Sequence, residues 1–445
     1  MTLVCFALFF AGIVLCLVLD ASLIPALLLG VALFFLLGLR KGFSPKALAS
    51  MAWEKGRDSL VVIPVFLLIG VVMGLWRSAG TISYFLYYGL LSISPRIFLL
   101  VVFLLSAALS FVLGTSFGVT GTAGVVLITL ARSGGVDLAM TAGAILSGAY
   151  FGDRCSPMSS CATLVAAVTD TKLYDNVREM LKTGALPTAL TLVFYGVLSV
   201  RNPITSVDTA VLSALSEGNA LHWLALLPAV LMLLLPLLKI PVKWAMAVSA
   251  ATAFVLSVVL QQMSFAAALR TAIFGYAPTS EALAGILSGG GLLSMFSSSA
   301  IVFLTSLYAG ILEGIGILIP AKALVERLAS RVGLFPTSIF VSTAIGMAFC
   351  NQTVVTLINS QLLPDSYHKR GASNTELAMD LANSGVMISG LIPWNIAASI
   401  PLAMLDVGSE AILWASLLYF TPLCYLFTKR YFRSGQNRPL SLERT

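Results

Sequence analysis

Along the chain, long apolar runs are separated by short polar or Gly/Pro interruptions. A helix needs about 20 apolar residues to cross a bilayer, somewhat fewer when anchored at its ends. Runs that serve as spans, or parts of spans, fall at 3–19, 21–39, 59–77, 97–113, 117–131, 138–152 and 184–200. They continue at 222–238, 242–260, 283–305, 301–319, 336–350, 382–404 and 411–428. The pattern predicts an all-α polytopic membrane protein.

Composition agrees. Of 445 residues, 58% are hydrophobic and 10% charged, where a soluble domain spends about a quarter on charge. With a mean hydropathy of +0.98, a water-facing globule could not hide its apolar side chains. The N-terminus starts Met1-Thr2-Leu3-Val4 without a basic region and runs into two apolar segments. A retained hairpin over 1–39 is expected there in place of a cleaved signal peptide.

Charge position sets the orientation. Arg40, Lys41, Lys46, Lys55 and Arg57 cluster in one inter-span segment. Further basic groups occur at Lys172 to Lys182, Lys239 and Lys243, Lys322 to Arg331, His368 to Arg370, and Lys429 to Arg433. Segments around Asp20, Asp208 to Glu217 and Asp406 to Glu410 are poor in Lys and Arg. Basic loops stay in the cytoplasm, so both termini are expected there, in a bacterial inner membrane. The formal charge of +7 therefore points to topology and not to nucleic acid.

The same assignment exposes a symmetry. Residues 40–205 begin inside and end outside, whereas 221–430 begin outside and end inside. An external connector at 206–220 joins them, and 431–445 form a polar cytoplasmic tail. A Ser/Gly/Pro-interrupted segment at 145–160 has a counterpart at 384–399. The loops that follow carry opposite charge. Two inverted-topology repeats with broken or re-entrant helices near the bilayer midplane are expected, and interrupted segments at matching positions point to a transport site. Chance similarity of two Gly/Ser-rich stretches is the alternative.

The interrupted segments carry the candidate chemistry. In 114–124, GTSFGVTGTAG, four glycines make one stripe on a continuous helix, which close packing alone would explain. Thr115, Ser116, Thr120 and Thr122 there offer hydroxyls to a cation. In ILSGAYFGDRCSPMSSC, 145–161, Asp153 and Arg154 interrupt an uncharged run and Pro157 should break the helix. A carboxylate beside freed carbonyls and the hydroxyls of Ser156, Ser159 and Ser160 suits Na⁺ or a proton. Asp153 is the expected metal ligand, because ionisable groups at membrane depth are costly without a function; a structural pair with Arg154 is the alternative. Asn351, Asn383, Ser384 and Asn395 are neutral candidates in the second half, and serve equally well as interhelical glue. Glu313, among Gly310, Gly314 and Gly316, is the second acid expected at membrane depth.

Much other chemistry lacks material. The six cysteines form no CxxC pair, and only His222 and His368 carry imidazole. No Walker lysine, HExxH or GxSxG motif is present. A secondary transporter without an organic cofactor, and not an enzyme, is expected.

The segments 114–126, 143–159, 288–318, 369–371 and 384–395 together resemble the NhaC-type sodium/proton antiporter family of the ion-transporter superfamily, over about Arg40 to Phe427. The resemblance implies transport by two inverted repeats with helices broken near the midplane. It assigns Asp153, Ser156 and Asn395 to motif positions near the ion site. Relatives carry carboxylates where this chain has Ser160, Ala382 and Asn383. Exchange of Na⁺ for H⁺ by alternating access is thus the leading expectation, with Na⁺ and H⁺ as coupling ions. The lost carboxylates favour, as an alternative, Na⁺-coupled transport of an amino, hydroxy or carboxylic acid. A passive channel or structural membrane subunit is the third reading. Expected partners are a small ion or organic solute and the lipid bilayer, without nucleic acid and with a homodimer left open.

Overall fold

The computed structural model describes residues 2–436 except 20, 61–62, 93–94, 204–212, 214, 216–219, 239, 279, 281–282, 285–286 and 317–320. Most of the expected connector at 206–220, most of the tail at 431–445, and Glu281 lie outside the described residues.

The described chain is helical, with one isolated bridge between Tyr276 and Gly289 in place of strands. The first part comprises α1 (Thr2–Val18), α2 (Ile24–Arg40), α3 (Pro45–Ser59), α4 (Ile63–Ser78), α5 (Thr81–Ser92) and α6 (Phe98–Leu113). It continues with α7 (Ser116–Val119), a π-helical turn at Thr120–Gly124, α8 (Val125–Ser133), α9 (Leu138–Cys155), α10 (Ser160–Val168) and α11 (Leu173–Arg201). Next come α12 (Leu227–Leu237), α13 (Val242–Val259), α14 (Phe265–Phe274), α15 (Phe296–Gly314), α16 (Ala321–Val332) and α17 (Leu334–Phe349). The last are α18 (Gln352–Leu362), α19 (Pro364–His368), α20 (Asn374–Asn383), α21 (Gly385–Ser389), α22 (Ile396–Leu405) and α23 (Ser416–Gln436).

Among the described residues, three helical stretches are individually long and apolar enough to cross a membrane: Ser116–Ser133, Leu173–Arg201 and Leu292–Gly314. Several other apolar helices among the described residues are shorter, at 10–17 residues. Two regions read as charged loops are helical instead. In α16, Val325 and Ala329 are buried one turn apart while Lys322, Glu326 and Arg327 face outward. Charge there marks the outer face of an amphipathic helix. The basic cluster after Arg40 is likewise folded into α3, which packs on α15.

The helix α11 inverts the soluble pattern. Thr183, Pro187, Thr191, Tyr195 and Ser199 are buried, whereas Leu186, Leu190, Val193, Val197 and Val200 are exposed. Thr183, Tyr195 and Ser199 turn inward to hydrogen-bond partners, and aliphatic side chains face outward, as lipid contact requires.

Two glycines govern the tightest packing. A Cβ at Gly152 would lie 2.0 Å from the backbone of Ser110, and one at Gly148 2.5 Å from Ser106. One turn apart on α9, they let α6 lie directly against its backbone. The stripe at 114–124 does not form a single seam. Gly114 adopts φ +66° and ends α6, so the continuous helix that would align the four glycines is absent.

That break has a twin. Gly114 is left-handed and the extended Thr115 follows it, capping α7 by accepting from the Gly118 N–H. Cys350 is left-handed at φ 54°, followed by the extended Asn351, which caps α18 by accepting from Thr353 and Val354. Each second break comes 44 residues later: Ser159 (φ −73°, ψ 132°) caps α10, and Asn395 (φ −73°, ψ 139°) caps α22. A proline stands two positions before each of these caps, Pro157 and Pro393. One offset of 236 residues also superposes the starts of α6 and α17 and those of α9 and α20. The resumed helices cross between the halves: α10 packs on α18, and α22 packs on the π-helical turn. At their far ends, Arg132 in the last turn of α8 pairs with Asp406 just after α22 at 3.3 Å.

Candidate functional site

Side chains from three of the four breaks gather about one carboxylate. Asp153 lies in the last turn of α9 and is 4% exposed. Pro157 stops the helix, since it has no N–H to donate and its ring clashes with the preceding turn. The orphaned carbonyls of both helix ends are then satisfied by serines. Ser156 Oγ donates to the Phe111 carbonyl of α6 at 2.5 Å, and Ser159 Oγ donates to the Asp153 carbonyl at 2.5 Å. Ser159 also accepts from the N–H groups of Cys161 and Ala162, so it opens α10 while closing α9.

The carboxylate is approached from the neighbouring breaks. Ser116, first residue of α7, donates to Asp153 Oδ2 at 3.1 Å. Ser159 Oγ lies 3.4 Å from Oδ1, and the Cys161 thiol 3.7 Å from Oδ2. That thiol also reaches Gln352 Oε1 of the second half at 3.1 Å, and Gln352 donates to the Val386 carbonyl at 2.9 Å. No ion pair among the described residues includes Asp153. The buried acid therefore has hydroxyls, a thiol and an amide around it but no cationic side chain. Hard oxygen donors beside a carboxylate are the ligand set of an alkali cation.

Arg154, its neighbour, turns the other way. Its Nη2 donates to Asn383 Oδ1 at 2.6 Å and to Thr183 Oγ1 at 2.8 Å, and its Nε donates to Asn383 at 3.1 Å. An Asp153–Arg154 ion pair, the structural alternative for these residues, does not form. Arg154 instead clasps α9 to α20 and α11.

The structure thus brings Ser116 and Ser159 onto Asp153, with Ser156 stitching the same break. Thr115 caps α7, and Thr120 and Thr122 donate to carbonyls one turn back, at Ser116 and Gly118. Ser160 is exposed. Asn351 and Asn395 are helix caps, the latter also donating to the Gly346 carbonyl at 3.1 Å. Ser384 meets Ser338 at 2.7 Å and Ser342 at 3.2 Å, inside the α17–α20 interface. Glu313 stands apart from the Asp153 group. It pairs with Lys55 of α3 at 3.1 Å, its side chain 47% exposed. The glycines instead bring α3 close: Cβ atoms at Gly310 and Gly314 would meet Met51. Sequence reasoning missed Gln352 and Cys161 as neighbours of the carboxylate. Their position directly after the caps of α18 and α10 is the signal that could have found them.

Comparison with known proteins bears on this arrangement. The model of the Na⁺/H⁺ antiporter family matches residues 148–430, which include Asp153 and both breaks of the second half. A malate-2H⁺/Na⁺-lactate antiporter of Bacillus subtilis is 28% identical over 97% of this chain and 96% of its own. The Na⁺/H⁺ antiporter NhaC of the same organism is 28% identical over 86% of both chains. An arginine/ornithine antiporter, ArcD, of Halobacterium salinarum is 28% identical over 76% of this chain and 71% of its own. A buried carboxylate without a counter-charge, set among broken helices in a chain matched over more than half its length, leads to one assignment: the chain belongs to the Na⁺/H⁺ antiporter family.

Proposed function

We propose that the chain exchanges Na⁺ for H⁺ across a bacterial inner membrane by alternating access, with Asp153 holding either ion in turn. The observation that carries this reading is the buried Asp153 carboxylate, which has oxygen donors but no basic partner. A buried charge needs a compensating one. Na⁺ or H⁺ supplies it, and one carboxylate cannot hold both, so binding of one ion releases the other. Ser116 and Ser159 complete the coordination.

Two inverted repeats supply the alternation. The 236-residue offset between the breaks supports this reading, and the same offset brings α4, inside the first repeat, onto α15 of the second. Rocking of one repeat against the other would expose Asp153 to each side in turn. Basic loops favour both termini in the cytoplasm.

A second reading has specific support. Asn383 and Ser160 stand where related sequences carry acids, and the buried Arg154 is held by neutral groups only. A site poorer in carboxylates suits an organic acid carried with Na⁺. Full-length protein in vesicles loaded with a pH dye separates the readings. Na⁺/H⁺ exchange predicts that an outward Na⁺ gradient acidifies the lumen and that Asp153→Asn abolishes the signal. Na⁺-driven uptake of a labelled hydroxy or amino acid without a pH change would select the organic solute. Flux indifferent to both the gradient and Asp153→Asn would indicate a passive pore.

A further inference from the structure

The offset of 236 residues that relates the helix breaks also relates two aspartates in uncommon backbone. Among the described residues, four other than glycine have positive φ, and two of these are Asp170 (φ 51°) and Asp406 (φ 55°), 236 positions apart. Such backbone is costly for an L-residue, though Asp tolerates it better than most. Each aspartate ends a resumed helix in the same way. Just beyond α10, the Asp170 N–H donates to the Ala167 carbonyl at 3.4 Å and the Thr171 N–H to that of Ala166 at 3.0 Å. Just beyond α22, the matching bonds run from Asp406 to Ala403 at 3.3 Å and from Val407 to Leu402 at 3.2 Å.

The two aspartates differ in their partners. Asp406 pairs with Arg132 of α8 at 3.3 Å, tying one half to the other. The buried Arg77 guanidinium of α4 is the further charge acting on that pair. Asp170 is exposed and forms no ion pair among the described residues. The same offset names the residue that answers to Arg132: His368, in the last turn of α19. Local backbone supports that equivalence. Gly135 and Gly371, three positions later, both adopt φ 66°, and Asp137 and Ser373 then cap α9 and α20. His368 Nε2 lies 3.2 Å from Asn374 Oδ1 and is not on Asp170.

We propose that Asp170 and His368 form an inner latch, the inverted counterpart of Arg132–Asp406, and that the two latches close in alternation. In the conformation described, the outer pair is shut and the inner pair open. When the halves rock, Asp406 leaves Arg132 and Asp170 meets the His368 imidazolium. Exposed pairs are each worth little, so the latches bias two states of similar energy without locking either. The inner latch is conditional, since an imidazolium forms near pH 6.5 whereas a guanidinium is permanent. Acid on the cytoplasmic side therefore favours the state open to the outside. Other charges stand around His368: Lys322, Glu326, Asp365 and Lys369 line the same cleft of about 270 Å³, and Arg370 follows two positions on. Lys322 is paired with Asp365 and Lys369 with Glu326. On the other side of the latch, Lys172 follows Asp170 by two positions. The alternation rests on the alternating-access reading above.

Hydrogen–deuterium exchange of the full-length protein in lipid nanodiscs tests the proposal, read at residues 131–136 and 403–408 outside and 168–173 and 366–371 inside. Arg132→Gln should speed exchange at the outer segments and slow it at the inner ones, each by roughly two- to fivefold. His368→Arg makes the inner cation permanent and should shift both ends in the same direction; adding Asp170→Asn should cancel that shift. Asp170 and His368 are both exposed, so these variants keep the core. Asp153→Asn removes titration of the transport carboxylate. In that background a step from about pH 8 to about pH 6, corrected for the intrinsic pH dependence of exchange, should act as His368→Arg does. His368→Gln should lose the step. Outer amides that loosen in Arg132→Gln without slower exchange inside, or a pH step that survives His368→Gln, overturn the proposal. Reciprocal shifts in a protein that gives no Na⁺-driven pH change in vesicles would keep the latches and sink the exchange reading. Exchange activity without reciprocal shifts would sink the latches alone.

Discussion

Arg154 Nη2 donates to Asn383 Oδ1 at 2.6 Å, joining two helices of different halves through a guanidinium that has no acidic partner among the described residues. Both residues are wholly enclosed. Asn383→Ala should cost about 1.5–3 kcal/mol, the range for a lost hydrogen bond to a buried charge. Asn383→Asp should be tolerated, because it gives Arg154 an opposite charge in the same geometry. Thermal unfolding in detergent checks both; an alanine variant as stable as wild type would remove Arg154 from the framework.

Asp153→Asn should fold, since an amide oxygen still accepts from Ser116, yet lose Na⁺ binding. Wild type at a Na⁺ concentration one hundred times Kd should gain about 2.7 kcal/mol of stability, and the variant none. Protons compete for the same carboxylate, so the apparent Na⁺ affinity of the wild type should rise with pH while the carboxylate titrates. A melting temperature that climbs with Na⁺ in the variant would locate the ion elsewhere.

Cys161 presents a soft thiol 3.7 Å from Asp153. Cys161→Ser replaces it with a hard oxygen donor of nearly the same size. Na⁺ prefers oxygen to sulfur ligands, so affinity should rise by roughly tenfold, about 1.4 kcal/mol. Isothermal titration with NaCl measures this; unchanged affinity means that residue 161 does not reach the ion.

Gly152→Ala forces a Cβ to 2.0 Å from the Ser110 backbone, whereas Gly196 has nothing within 4 Å. The first substitution should cost about 3 kcal/mol or more by overpacking. Gly196→Ala should leave stability unchanged or slightly improve it through helix propensity. Size-exclusion profiles and melting curves of the two variants give the comparison.

Glu313→Gln removes an ion pair with Lys55 whose side chains are 47% and 40% exposed. Such pairs contribute about 0–1 kcal/mol. Na⁺ transport should stay within roughly fivefold of wild type on that scale. A larger loss would return Glu313 to the site.

Composition and apolar run length alone determined membrane residence, because the bilayer selects for both before any tertiary contact forms. Pro157 marked one helix break by itself, since a proline acts on its own turn wherever the helix packs. Asp153 stood out because a lone acid in an apolar run is expensive. What surrounds that acid was decided in three dimensions. Gln352 comes near Cys161 only because α18 and α10 cross between the halves. Arg154, adjacent to Asp153 in sequence, is aimed away from it by Asn383 and Thr183. The glycines at 114–124 looked like one seam until the left-handed Gly114 ended the helix, and only the packing of α3 put Lys55 beside Glu313. Nothing in the spacing of Glu376 and Asp380, one turn apart on α20, points to Lys429 of α23, 49 positions beyond Asp380, which lies against both. Sequence carries what a residue imposes on its own segment, whereas the partners of a buried charge depend on which helices the fold brings together.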